Sequence, residues 1–246
     1  MSISSDDNNI KVWDFRNWEC LLNFEEVNKY GRLYSACFLN YKNDIYIITS
    51  GWDVNSSMPL QVYDLNGKIQ KTINNSNDKT FFVNIYYDNS YENLSKYFII
   101  TGNNGSVKSY DYINNKIYYK YEDKDNESHF SIIIVNDKNL IKLIESGCDG
   151  YIRIWNFHSG KLLSKIFISK NHSLRGICLW NNEYILVGCD DDRIRLINIK
   201  KGLIVNEIFG PSDRVITINK IIHPKYGECF VSQGWAKDQI KLFIYD

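Results

Sequence analysis

His129, Ser146 and Asp149 are the three residue types of a nucleophilic hydrolase: a hydroxyl to attack, an imidazole to take its proton, and a carboxylate to orient the imidazole. Asp190, Asp191 and Asp192 run together and could supply paired carboxylates for acid–base work. The flanking residues argue for another use. Asp149 sits in "SGCDGY" (146–151) and the three aspartates in "GCDDDR" (188–193). Both read as tight hairpin turns, because Asp, Asn and Gly tolerate positive φ. A buried Asp in such a turn accepts backbone N–H and imidazole hydrogen bonds, and losing one partner costs roughly 1–3 kcal/mol. The structural reading is therefore preferred, and Asp149→Ala is expected to lower stability without abolishing a catalytic rate.

Other catalytic signatures are missing. The chain has no HExxH, P-loop or GxSxG, and "GNNGS" (102–106) lacks dinucleotide-loop spacing and would join two strands. His158 and His223 fall in turns without metal-ligand company. The expectation is no catalytic, cofactor-binding or metal-binding residue, no cofactor, and no enzyme.

Composition narrows the class further. Lys plus Arg and Asp plus Glu number 29 each among 246 residues, so no net field draws the chain to nucleic acid or an anionic membrane. Met1 to Asn9 is polar and acidic, unlike a secretory signal, and the longest apolar runs are far short of a membrane helix. Cys20, Cys37, Cys148, Cys178, Cys189 and Cys229 form no CxxC pair and read as reduced thiols. An intracellular soluble protein is expected, cytoplasmic first and nuclear as the alternative.

The elements that must position all this come from a repeat. "IKVWD" (10–14), "LQVYD" (60–64), "VKSYD" (107–111), "YIRIWN" (151–156), "IRLIN" (194–198) and "IKLFI" (240–244) are one phrase written six times. Its bulky positions, Trp13, Tyr63, Tyr110, Trp155, Ile197 and Phe243, are 50, 47, 45, 42 and 46 residues apart. Turn signatures precede most phrases, another turn and strand follow the first five, and two apolar segments lie upstream. Four short antiparallel strands per period of about 45 residues is the arithmetic of a β-propeller. The phrase carries apolar residues on one face (Ile152, Ile154) and the bulky residue on the other (Trp155), as a sheet sandwiched between two neighbours requires.

These residues resemble the WD40-repeat family. "SGCDGYIRIWNFHSGKLL" (146–163) is similar to its repeat ending, and Trp13-Asp14 is its eponymous pair. The resemblance covers the whole chain as a single domain, 1–246. It implies an all-β, WD40-like propeller of about six blade units, four complete (Gly31 to about Phe209) with partial units at the N- and C-terminal ends, or an incomplete form of the family's usual seven-bladed ring. Either upstream residues are missing or the ring is open or irregular; the first is the expectation. In the family a hydrogen-bonded chain links the strand Trp to a Ser or Thr, a His, and a turn Asp six residues before the Trp. The resemblance assigns that structural role to Asp7, Trp13 and Asp14, to His129, Asp149 and Trp155, and to His172 and Asp191.

Propellers bind through loops at the ring's faces, because packing consumes the strands. "TSGWD" (49–53) and "SQGWA" (232–236) place Trp52 and Trp235 at matching points. These two, with Asp53 and Lys237, are the candidate partner-binding residues, since a loop Trp is a typical interface anchor; the alternative is that both indoles fill gaps beside irregular blades. By analogy the chain is a non-catalytic scaffold for protein or peptide partners within a multiprotein assembly. Nucleic acid, membrane and small-molecule substrates are not expected. The alternatives are a substrate-recognition subunit of a modification complex, or a propeller enzyme or small-ligand binder using the central channel.

Overall fold

A computed structural model describes residues 2–3, 9–14, 17, 19–25, 31–53, 60–73, 79–88, 96–124, 128–137, 140–211, 213–235 and 240–244. The chain divides into two compact units, Met1–Lys120 and Tyr121–Asp246. In the first, β1 (Ser2–Ile3), β2 (Ile10–Asp14) and β3 (Glu19–Phe24) form a three-stranded sheet in that order. Two four-stranded sheets follow. One is β4 (Gly31–Tyr41), β5 (Asp44–Asp53), β6 (Leu60–Tyr63) and β7 (Ile69–Ile73); the other is β8 (Thr80–Asp88), β9 (Lys96–Asn103), β10 (Val107–Asp111) and β11 (Lys116–Tyr121).

The second unit repeats the plan. It has β12 (His129–Asp137), β13 (Leu140–Gly147), β14 (Tyr151–Asn156) and β15 (Leu162–Phe167), then β16 (Leu174–Leu179), β17 (Tyr184–Cys189), β18 (Arg193–Asn198) and β19 (Leu203–Phe209). A three-stranded sheet, β20 (Val215–His223), β21 (Gly227–Gly234) and β22 (Ile240–Ile244), completes the described residues. The pairings β13–β14, β17–β18 and β21–β22 are antiparallel, and strand order in each sheet is the order in the chain.

The blade count departs from the sequence reading. Among the described residues five sheets contain an innermost strand of the repeat, β4, β8, β12, β16 or β20; they are the five blades, where six or an incomplete seven were expected. The N-terminal sheet lacks that strand, because its first member pairs Ser2 with Lys11 and Ile3 with Ile10, which is the register of a second strand.

In the four phrase strands β6, β10, β14 and β18 both faces are largely buried, for the reason the pattern gives. Ile144, Ile152, Ile154 and Ile166 of one blade meet Ile177, Ile185, Val187 and Ile197 of the next in one cluster. In the first unit Ile48, Leu60 and Val62 meet Val83, Ile99 and Tyr110 in the same way. Each such side chain contributes about 1.5–3 kcal/mol on burial. A Cβ added at Gly176 would lie 2.8 Å from the Thr217 Cα, so β16 and β20 approach more closely than any side chain allows.

The polar residue that ends the second to fifth phrases builds the outer hairpin. Oδ1 of Asp64 accepts the N–H groups of Asn66 and Lys68, both at 2.9 Å. Asp111 does so for Ile113 and Asn114, Asn156 for His158 and Ser159, and Asn198 for Lys200 and Lys201, at 2.9–3.1 Å. Asp and Asn recur there because their short side chains mimic a backbone turn. Asp14, half-buried, closes β2 at the same position, and residues 15–16 lie outside the described residues.

Candidate functional site

In the blade β12–β15 the register sets Glu145 opposite Arg153 and Leu143 opposite Trp155. Glu145 is fully buried. Its Oε1 accepts a hydrogen bond from Trp155 Nε1 at 3.1 Å, and its Oε2 lies 2.7 Å from His129 Nδ1. His129 is 3% exposed and Trp155 2%. Oε1 is hydrogen-bonded, Oε2 lies against the imidazole without a hydrogen bond, and the side chain has no path to solvent, which suits a fixed strut.

Next to it lies a second network. Arg153, 1% exposed, donates Nη1–H to Asp149 Oδ1 at 3.2 Å, meets Asp149 Oδ2 through Nη2, and donates Nε–H to Asp123 at 3.1 Å. Lys165 Nζ reaches the same Asp123 oxygen at 2.7 Å. The Lys165 hydrogen bond, with further help from Arg153, holds the Asp123 carboxyl well below the usual carboxylate range. Burial alone would lower the pKa of the Arg153 guanidinium, but Asp149 outweighs it and the group stays charged.

The candidate triad is not assembled. Asp149 accepts the Tyr151 N–H and the Arg153 guanidinium; the carboxylate that meets His129 is Glu145. Ser146 Oγ donates to the Arg175 carbonyl at 3.2 Å. Asp149 thus bonds within its own turn and to Arg153, not to the imidazole. The turn itself needs Gly150, with φ of +78° and the Ser169 carbonyl occupying the space a Cβ would take.

Register also reassigns the second histidine. His129 pairs with Gly147, and the same place in the next blade pairs Leu174 with Cys189. His172, chosen by spacing along the chain, lies two residues earlier and is exposed. A shift of register follows this position in all five blades, after Leu33, Thr80, His129, Leu174 and Val215. The Glu145 position is filled by Thr49, Thr101, Val187 and Ser232 elsewhere. The polar trio His129–Glu145–Trp155 therefore becomes the apolar trio Leu174–Val187–Ile197 one blade on. Asp191 keeps its own pairing without the trio, meeting Arg195 at 3.0 and 2.5 Å, and Glu207 stands in for Asp123 at 2.9 Å from Arg195.

Of the first repeat, Trp13 is half-buried opposite Cys20, and Asp7 lies outside the described residues. Sequence reasoning missed Glu145, Arg153 and Asp123. One signal was present: Glu145 follows the apolar pair Leu143–Ile144 inside the strand "LIKLIES".

The candidate docking residues differ in setting. Trp52 is half-buried at the end of β5, opposite Arg32, with Lys79 Nζ 3.8 Å above its ring. Asp53 pairs with Gly31 in the same ladder. Trp235 follows β21; its N–H donates to the Arg214 carbonyl at 3.0 Å, and its residue is 69% exposed. Lys237 lies outside the described residues. Trp52 and Trp235 fall in different units.

No protein-family model matches the chain. Over 87 residues it is 25% identical to the U3 small nucleolar RNA-associated protein 21 homolog of Schizosaccharomyces pombe. That stretch is 35% of this chain and 9% of the relative, so the chain spans only a small part of the curated protein it matches. Among solved structures it is similar to the WD40 β-propeller domain of Doa1, with a TM-score of 0.68 at 16% identity, covering 93% of this chain and 68% of the other.

Proposed function

By fold this chain is a WD40-type β-propeller, and we propose that it works as a non-catalytic scaffold that captures protein partners through loops at the blade ends. The observation that carries the reading is the contrast between its polar clusters and Trp235. The residue types that could do chemistry, His129, Glu145, Asp149 and Arg153, are spent on one another inside a blade. Trp235, just after β21, is largely exposed, and its backbone N–H is bonded to the Arg214 carbonyl. An exposed aromatic whose own backbone is hydrogen-bonded in place is the usual anchor of a protein interface. Trp52, held under Lys79, is a second anchor in the other unit.

The name of the Schizosaccharomyces pombe relative supports membership of an RNA-associated assembly, and it weighs toward a nuclear location over the cytoplasmic one expected from composition. The equal numbers of acidic and basic residues support a protein, and not the RNA itself, as the direct ligand.

The test is affinity capture of the intact tagged chain from cells of its source, followed by the affinity of the recovered partner for Trp235→Ala. Removing a central anchor costs about 2 kcal/mol, or roughly 30-fold in Kd, while the exposed position leaves thermal stability unchanged. Undiminished affinity in Trp235→Ala and in Trp52→Ala would overturn the reading.

A further inference from the structure

We propose that one end of the blades β4–β7 and β8–β11 is a second docking surface, built from four tyrosines and two lysines, which takes an acidic segment of a partner polypeptide. Tyr41 closes β4 and is held by a two-residue turn, Lys42 and Asn43, both at positive φ (52° and 68°). Its ring meets Tyr97 edge-on at 5.1 Å and Tyr112 at 5.3 Å, and Tyr97 meets Tyr87 at 5.3 Å. The Asn40 N–H donates to the Tyr87 hydroxyl at 3.0 Å and ties the two blades together at this end. Packing needs rings here but not hydroxyls. The Tyr112 N–H donates to the Tyr97 carbonyl at 2.9 Å, and the same bond in the blade β12–β15 joins Phe157 to Ile141. Tyr112 is 8% exposed, yet its hydroxyl, like those of Tyr41 and Tyr97, has no protein partner among the described residues.

The charges point the same way. Lys42 Nζ lies 5.3 Å over the Tyr41 ring, and Lys71 Nζ lies 4.3 Å over Tyr112 and donates to its carbonyl. Neither lysine is in an ion pair among the described residues, whereas Lys142, Lys200 and Lys220 of the second unit each meet a carboxylate at 2.7–2.8 Å. The carboxylates nearby are engaged. Asp44 accepts from the Tyr46 hydroxyl at 3.5 Å, and Asp64 and Asp111 are turned into their own hairpins. Burial, then the neighbouring Tyr46 and Tyr41, raises the Tyr112 phenol, so it stays protonated and donates. Phenol and ammonium donors side by side suit carboxylates, on rings that give rigid contact area at low entropic cost. The lysines sit over ring faces where a base would stack, which favours a polypeptide over RNA. Tyr46 and Trp52 are six residues apart on β5, about 20 Å in an extended strand, so this surface is separate from the Trp52 anchor.

The probe is a fluorescein-labelled peptide of repeated Glu-Glu-Leu, titrated into the intact chain by fluorescence anisotropy, with Gln-Gln-Leu as its uncharged counterpart. Saturable one-to-one binding of the Glu peptide is expected, at least tenfold tighter than that of the Gln peptide. The combined variant Tyr41→Phe, Tyr97→Phe, Tyr112→Phe removes only hydroxyls that packing does not use. It should keep the parent Tm and bind the Glu peptide at least tenfold more weakly. Lys42→Glu, at an exposed turn, should weaken it by a similar factor, while Trp52→Ala should bind as the parent does. Three results would overturn the proposal: no saturable binding of the Glu peptide, binding unchanged in the Tyr→Phe variant, or tighter binding of a labelled oligouridylate lost in the same variants, which would assign the surface to RNA.

Discussion

Trp155 and Glu145 are joined across β13 and β14 by an indole-to-carboxylate hydrogen bond of 3.1 Å, with His129 closing the other oxygen. The next blade shows the alternative that the same backbone accepts, Ile197, Val187 and Leu174, without a polar atom among the side chains. The three positions behave as one choice. Glu145→Val alone leaves the indole N–H buried without its acceptor and strips the buried imidazole of the carboxylate beside it, at a cost of about 3–5 kcal/mol. For a chain of this size that lowers Tm by roughly 6–20 °C. The triple variant His129→Leu, Glu145→Val, Trp155→Ile copies the neighbouring blade and should recover more than half of that loss. Differential scanning calorimetry of the single and triple variants checks it; a triple variant less stable than Glu145→Val would show that the trio is not a unit.

Acid sensitivity follows from the carboxylates around Arg153 and Arg195. Asp123 and Glu207 are held low, first by hydrogen bonds from Lys165 and Arg195 respectively; for Asp191, burial opposes the shift and Arg195 prevails. Each has a folded pKa below its unfolded value near 4. Their contribution to stability is therefore complete above about pH 5 and is lost as pH falls through the folded values. Tm should stay level between pH 7 and pH 5 and drop below pH 4. Asp123→Asn should be less stable at pH 7 and lose less on acidification, measured by circular dichroism melts across that range.

Thiol chemistry should separate the cysteines. Burial pushes Cys37 and Cys178 up to about 12 and Cys189 to about 11. The thiolate is the nucleophile, so at pH 8 these three should stay unmodified by iodoacetamide until denaturant is added. Cys20, exposed beside Leu22, should react first. Peptide mass spectrometry after timed alkylation reads the order directly.

The phrase strands were legible in the sequence because period-two patterning and turn chemistry are local. "IKVWD", "VKSYD" and "IKLFI" coincide with β2, β10 and β22 residue for residue. The site was less legible because its partners are chosen across strands. His172 lies nineteen residues before Asp191, but β16 and β17 are six residues each where β12 and β13 are nine and eight, and the ladder selects Leu174. Glu145 and Arg153 gave no local sign of pairing with His129 or Asp123, since that depends on register and on which face the pleat turns inward. The N-terminal sheet misled the blade count for the same reason: β1 is two residues long, too short for any pattern to announce that it pairs as a second strand.

Strand order in every sheet follows the order of synthesis. About 45 residues leave the ribosome in about 2–9 s at usual elongation rates, while a hairpin forms in microseconds. Each sheet thus has its full set of ladder partners long before the following one emerges. Vectorial assembly of this kind limits how long any apolar edge waits in the open during translation, a protection that refolding from denaturant does not offer.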